Sequence, residues 1–174
     1  MNTKIYISRK LESIVNKSFI NTEDVITENP LWKWTATLFY VSHKKCLLIT
    51  NSLTRYSIIL DSVITTDFSD LSDKFAKVLF EQFQVDGINA DWLTIKNFVG
   101  KVDLYPTDYD RKLIGTQNNI LQRTDDWKYE FGHFDNWPFR EINNRINGVP
   151  YKDLEWYLPR EKMKIMLDEM NTNK

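Results

Sequence analysis

A single cysteine, two histidines, five glycines and five prolines are all that 174 residues hold of these types, and each scarcity removes a class of protein. Cys46 has no partner for an internal disulfide, which excludes a disulfide scaffold and points to a reducing compartment. A structural zinc usually takes four Cys or His ligands, whereas His43, Cys46 and His133 are the only three in the chain. With so few glycines there is no Gly-rich phosphate loop, and no G-x-S-x-G nucleophile turn occurs. No apolar run approaches the roughly 18–20 residues that cross a bilayer. The start, Met1-Asn-Thr-Lys-Ile-Tyr6, lacks the apolar stretch of a secretory signal, so a cytoplasmic protein that does not enter membranes is expected. An excess of one charge is absent too: 23 Lys and Arg face 24 Asp and Glu, interspersed along the chain. There is therefore no global electrostatic attraction for nucleic acid, and any such role rests on a local patch.

What is present is apolar and aromatic: 42% of residues are hydrophobic and 14% are Phe, Trp or Tyr. Burying that much surface can offset chain entropy, so an ordered globular unit is expected rather than a disordered chain. Residues 34–60 read as three apolar strands separated by Ser42-His43-Lys44-Lys45 and Asn51-Ser-Leu-Thr54. Trp34, Ala36, Leu38 and Tyr40 alternate onto one face, with Phe39 and Val41 on the other. Continuous apolar runs at Cys46–Ile49 and Ile58–Leu60 suit strands covered on both sides.

Around this meander, Lys4–Ile7 predicts a first strand and Ser8 a cap for a helix bearing Leu11, Ile14 and Val15. Periodicity is lost from Asn16 to Pro30, with a turn signal at Glu28-Asn29-Pro30. Ser69 or Asp70 should cap a helix to Gln84 carrying Leu71, Phe75, Val78, Leu79 and Phe83. Asn89 should cap another with Trp92, Ile95 and Val99 inward, before an extended Val102–Tyr105. A third helix is expected after Thr107, with Asp110 completing a capping box, and its Gly115 suggests close packing there. Aromatics then crowd between Trp127 and Phe139, followed by helices near Glu141–Asn147 and Arg160–Met170, joined by an arm at Tyr151–Pro159. The expected fold is α+β: a central, mostly antiparallel sheet with helices packed on it. Residues 1–124 are its core and 125–174 an aromatic-rich extension packed on that core, as one globular unit.

Several of these residues carry a resemblance. The early strand and helix, Trp34-x-Ala-x-Leu38, Lys45-Cys46, Thr54-Arg-Tyr-Ser57, and Thr107, Asp110, Arg111 and Gly115 followed by Asn118 and Asn119 resemble a bacterial family of unknown function. The resemblance spans roughly residues 4–121 and implies a folded bacterial or phage domain without implying an activity. A second likeness, of Asn147-x-x-Pro-x-Lys-x-Leu154 and Pro159 to the tail of integrase-type transposases, is not accompanied by their three-carboxylate pattern. A turn between helices accounts for the same residues.

No residue is assigned a catalytic or metal-binding role, and no cofactor is expected. Asp108, Asp110, Asp125, Asp126, Glu130 and Asp135 are oxygen donors of the kind a divalent ion takes, but capping and solvation are the favoured explanation. Arg55 and Arg111 are the anion-binding candidates, since guanidinium is suited to bidentate phosphate or carboxylate contacts; pairing with Asp61 or Asp110 is the structural alternative. Trp127, Trp137 and Trp156 are the interface candidates, because aromatics anchor protein contacts as well as cores. The function expected is a non-enzymatic protein-interaction module with a protein partner. The competing expectation is nucleic-acid or nucleotide binding or processing through Arg55 and Arg111 with a divalent metal.

Overall fold

A computed structural model of the chain describes residues 2–23 and 29–172. In chain order it comprises β1 (Asn2–Ile7), α1 (Arg9–Glu12), β2 (Lys33–Val41), β3 (Lys44–Asn51), β4 (Ser57–Leu60), α2 (Leu71–Val85), α3 (Trp92–Val99), β5 (Lys101–Tyr105), α4 (Arg111–Leu121), α5 (Thr124–Phe131), α6 (Phe139–Ile146) and α7 (Pro159–Thr172). The strands form one sheet in the order β4-β3-β2-β1-β5. Among the described residues no helix is long and apolar enough to cross a membrane. Glu28 of the expected turn, and part of the aperiodic stretch before it, lie outside the described residues.

Strand alternation decides what each face carries. Ile5, Ile7, Trp34, Ala36, Leu38, Leu47, Ile49, Ile58 and Leu60 point to one side, where they meet Phe75, Leu79 and Phe83 of α2, Ile95 and Val99 of α3, and Met163 and Leu167 of α7. Trp34 packs edge-on against Phe75 with ring centroids 5.1 Å apart. On the opposite side Phe39, Val41, Cys46, Leu48 and Ile59 meet Ile120, Trp127, Phe134, Trp137, Ile142 and Ile146. The β2 to β4 region thus has helices on both sides, as the unbroken apolar runs require.

The expected sheet needs one correction: it is mixed rather than mostly antiparallel. The hairpin-linked β2–β3 and β3–β4 pairs are antiparallel, but β1 runs parallel to both β2 and β5. Crossovers through the α1 region and through α2 and α3 bring the chain back to the same end of the sheet, which forces that direction.

The turns are specified locally. Ser42 and His43 both adopt positive φ, the conformation a two-residue hairpin needs to match strand twist. Between β3 and β4, the Asn51 side-chain oxygen accepts from the Leu53 and Thr54 N–H groups and the Thr54 hydroxyl, while its amide donates to the Leu31 carbonyl at 2.8 Å. Thr54-Arg-Tyr-Ser57 is therefore first a turn motif.

Three smaller expectations shift. Helix α4 starts at Arg111, because the Asp110 carboxylate accepts the Lys112 and Leu113 N–H groups; Thr107 instead accepts from the Tyr109 N–H. Asp91 rather than Asn89 caps α3, which leaves Trp92 41% exposed in its first turn, while Ile95 and Val99 are buried. At Gly115 a Cβ would meet nothing within 4 Å, so close packing does not explain this glycine.

Candidate functional site

The connection between α6 and α7 combines backbone strain with exposed aromatic surface. Its start is clamped: at Gly148 a Cβ would lie 3.3 Å from the Asn144 carbonyl oxygen, a close approach that favours glycine. Lys152–Leu154 then make one 3-10 turn with Leu154 buried. The Trp156 N–H donates to the Tyr151 carbonyl at 3.0 Å, and the Tyr157 N–H to the Leu154 carbonyl at 3.0 Å. Closing the loop this tightly puts Glu155 at φ +55° and Trp156 at φ +67°. For non-glycine residues this region costs about 1–2 kcal/mol each. The outcome is an indole 66% exposed, with Tyr157 exposed next to it and the Lys162 ammonium 5.6 Å from the Tyr157 ring centroid.

A guanidinium anchors this loop to the sheet. Arg55, itself at φ +60° and nearly buried, donates from Nη2 to Asp153 Oδ2 at 2.7 Å, from Nε to the same oxygen at 3.2 Å, and from Nη1 to the Ser52 carbonyl. The partner expected from sequence, Asp61, is replaced by a carboxylate 98 residues away.

Beneath the loop lies a cleft of about 230 Å³ lined by Asn119, Ile120, Arg123, Ile146, Val149 and Tyr151. Three aliphatic side chains supply apolar lining; an amide, a guanidinium and a phenol supply donors. Burial raises the Tyr151 pKa, opposed by the positive charges of Arg123 and Arg55, so the phenol remains a protonated donor at neutral pH. The cleft suits a small apolar group bearing a carboxylate or carbonyl oxygen.

The sequence candidates separate in space. Trp127 and Trp137 are 5% and 4% exposed and pack edge-on at 6.1 Å within the second core cluster, while Trp156 stands outside it. Arg55 is in its ion pair; Arg111 is exposed at the start of α4, and neither lines the cleft. Asp108 pairs with Lys33, Asp125 with Lys128 and Glu130 with Arg145, and Asp135 lies 3.4 Å from His133. Among the described residues no three His, Cys, Asp or Glu side chains come together as a metal site. Cys46 is wholly buried, and burial pushes its thiol up to about 12.

Sequence reasoning overlooked Tyr151, Arg123 and Asp153. Each is an ordinary polar residue, and only the fold brings Asp153 to Arg55 and sets Tyr151 within reach of the charges of Arg55 and Arg123. It also overlooked two asparagines that cover the sheet edge. The Asn147 amide accepts from the Ser57 N–H and donates to the Ser57 carbonyl at 2.8 and 2.9 Å, and Asn143 accepts from the Ile59 N–H at 3.0 Å.

No curated protein matches this chain. Residues 4–162 match the family described as a domain of unknown function, DUF6933, and that span includes the sheet, the cleft and the Trp156 loop. The chain belongs to the DUF6933 family.

Proposed function

We propose that this protein is a non-enzymatic interaction module and that the loop at 149–157 is its contact surface. The observation that carries the reading is Trp156: a bulky aromatic held at positive φ with two thirds of its surface in water, where glycine would relieve the strain and remove the apolar exposure. Trp92, the other substantially exposed indole, lies in a regular helical turn, against Phe80 with ring centroids 5.7 Å apart and near Lys96. The partner fitting the surface is a protein segment presenting an apolar side chain next to a carboxylate. Trp156 and Tyr157 would cover the apolar group, and Arg123, Asn119 and Tyr151 would meet the carboxylate. The setting we propose is a bacterial or phage cytoplasm, consistent with a single, buried and unoxidised cysteine.

The competing reading, a phosphate held by Arg55 and Arg111 with a divalent ion, draws less support, because the Arg55 guanidinium is already occupied by Asp153 and Ser52. The test is affinity capture from the native host, comparing wild type with Trp156→Gly and with Trp92→Ala. A protein retained by wild type and Trp92→Ala but lost with Trp156→Gly supports the reading. Equal recovery on all three contradicts it.

A further inference from the structure

The bases at the tip of the β2–β3 hairpin have no carboxylate at ion-pair distance among the described residues. Elsewhere Lys33, Arg55, Lys74, Lys96, Lys101, Lys128 and Arg145 each have a carboxylate within ion-pair distance. Under the hairpin, His43, Lys44 and Lys45 line a notch of about 280 Å³ together with Ser62, Val63, Ile64 and Thr65. No Asp or Glu belongs to that lining, and no ion pair among the described residues involves any of its three bases.

The nearby acids are otherwise placed. Asp67 accepts the Ile64 N–H and the Lys74 ammonium. Burial alone would raise its pKa, but these two donors outweigh that and hold it below the usual carboxylate range. Asp61 precedes the notch and acts on the Cys46 thiol.

The notch is also pre-formed. Its walls are joined by the Val63 N–H donating to the Lys45 carbonyl at 2.9 Å, and Ser42, His43 and Ser62 are all fixed at positive φ. Tyr40, directly opposite Lys45 in the β2–β3 register, is 42% exposed, with the Lys10 ammonium 5.0 Å from its ring centroid. Lys45, an imidazole and two hydroxyls around an acid-free hollow are donors for an oxyanion, Lys44 adds positive charge from the opposite sheet face, and the half-exposed Tyr40 phenol on the Lys45 face offers a surface for a flat ring.

We propose that this notch binds the phosphate of a nucleotide unit, with Lys45 and the Ser62 and Thr65 hydroxyls on the phosphate and Tyr40, on the same sheet face as Lys45, against the base. The unit is either a free nucleotide or one link of a single strand, and the experiment distinguishes them. Amide chemical shifts of the whole protein are followed during titration with inorganic phosphate, with AMP and with a short oligothymidylate at low salt. Each titration is repeated on Lys44→Gln/Lys45→Gln, on Tyr40→Leu and on Lys77→Gln, an exposed lysine on α2.

The expected result is shifts at residues 43–45 and 62–65, lost or weakened about tenfold in the double variant and unchanged in Lys77→Gln. Tyr40→Leu should weaken AMP or the oligonucleotide but not phosphate. Saturation by AMP identifies a free-nucleotide site; response to the oligonucleotide alone identifies a strand site. Absence of shifts with all three probes, shifts located elsewhere, or equal binding by the folded double variant overturns the proposal. Phosphate binding that neither AMP nor the oligonucleotide improves overturns its nucleotide part.

Discussion

At position 156 an indole occupies backbone that glycine would hold with less strain, and this conflict between stability and exposure can be measured. Trp156→Gly removes a left-handed strain of about 1–2 kcal/mol, partly offset by the greater freedom of glycine in the unfolded chain. Its unfolding free energy should equal or exceed that of wild type, and a lower urea midpoint would contradict this account of the loop. Gly115 offers the converse case. With open space at its Cβ and no positive φ, Gly115→Ala should stabilise α4 by about 0.5–1 kcal/mol, read as a higher midpoint at unchanged slope. The sequence identified Gly115 as unusual but suggested the wrong cause, since the space beside a helix depends on what the remainder of the chain places there.

Burial also fixes an alkaline limit. The Cys46 thiol, raised to about 12, and the Tyr56 phenol, raised well above its ordinary value first by burial and then by Asp86, are both favoured in their protonated forms by the fold. In the unfolded chain a thiol ionises near pH 8.5, so the Cys46 contribution is intact below that pH and declines from there towards about 12. Denaturation midpoints should therefore fall as pH rises above about 8.5, and Cys46→Val should reduce that slope. A slope identical in the variant would show that the thiol does not titrate with folding.

At the scale of elements, the main device is the covering of the β4 edge. An edge strand exposes N–H and C=O groups that invite another chain. Here Asn143 of α6 and Asn147 at its C-terminal cap, one helical turn apart, bond the outward Ser57 N–H and carbonyl and the Ile59 N–H. The Asp86 carboxylate strengthens the junction by accepting from the Tyr56 hydroxyl and from the Asn144 amide. Asn147→Ala leaves the Ser57 N–H and carbonyl without these partners in a buried setting, at a cost of about 2–4 kcal/mol. Amide exchange at Ser57 should accelerate accordingly, and unchanged protection would argue that β4 does not depend on α6.

This scale also shows what was legible in the sequence. Alternation around Trp34–Val41 and the apolar run from Cys46 indicated strands and two covered faces, because side-chain periodicity is local. The parallel neighbours of β1 were not legible, since pairing between residues about 30 positions apart for β2 and about 100 for β5 leaves no local pattern. For the same reason Arg55 stood out as a residue while Asp153 did not.

For the whole molecule, what matters is how residues beyond the expected boundary at 124 pack against those before it. Trp127, Phe134, Trp137, Ile142 and Ile146 cover the sheet face that carries Phe39, Leu48 and Ile59, and α6 covers its edge. We propose that residues 1–124 and 125–174 form one cooperative unit. A fragment ending at residue 124 should then lack a sharp thermal transition and bind a hydrophobic dye, whereas a sharp native-like transition would show an independent core.

The notch and the Trp156 loop share this frame. The cationic notch lies at the hairpin end, and the Trp156 loop is tied to the sheet through Arg55.

The central claim is that the loop carrying Trp156 is where this protein meets its partner. Quantitative capture from the native host with folded wild type, Trp156→Gly and Trp92→Ala tests it most directly. The account predicts a protein enriched by wild type and Trp92→Ala and absent with Trp156→Gly. Recovery of the same proteins in equal amounts on all three would contradict it.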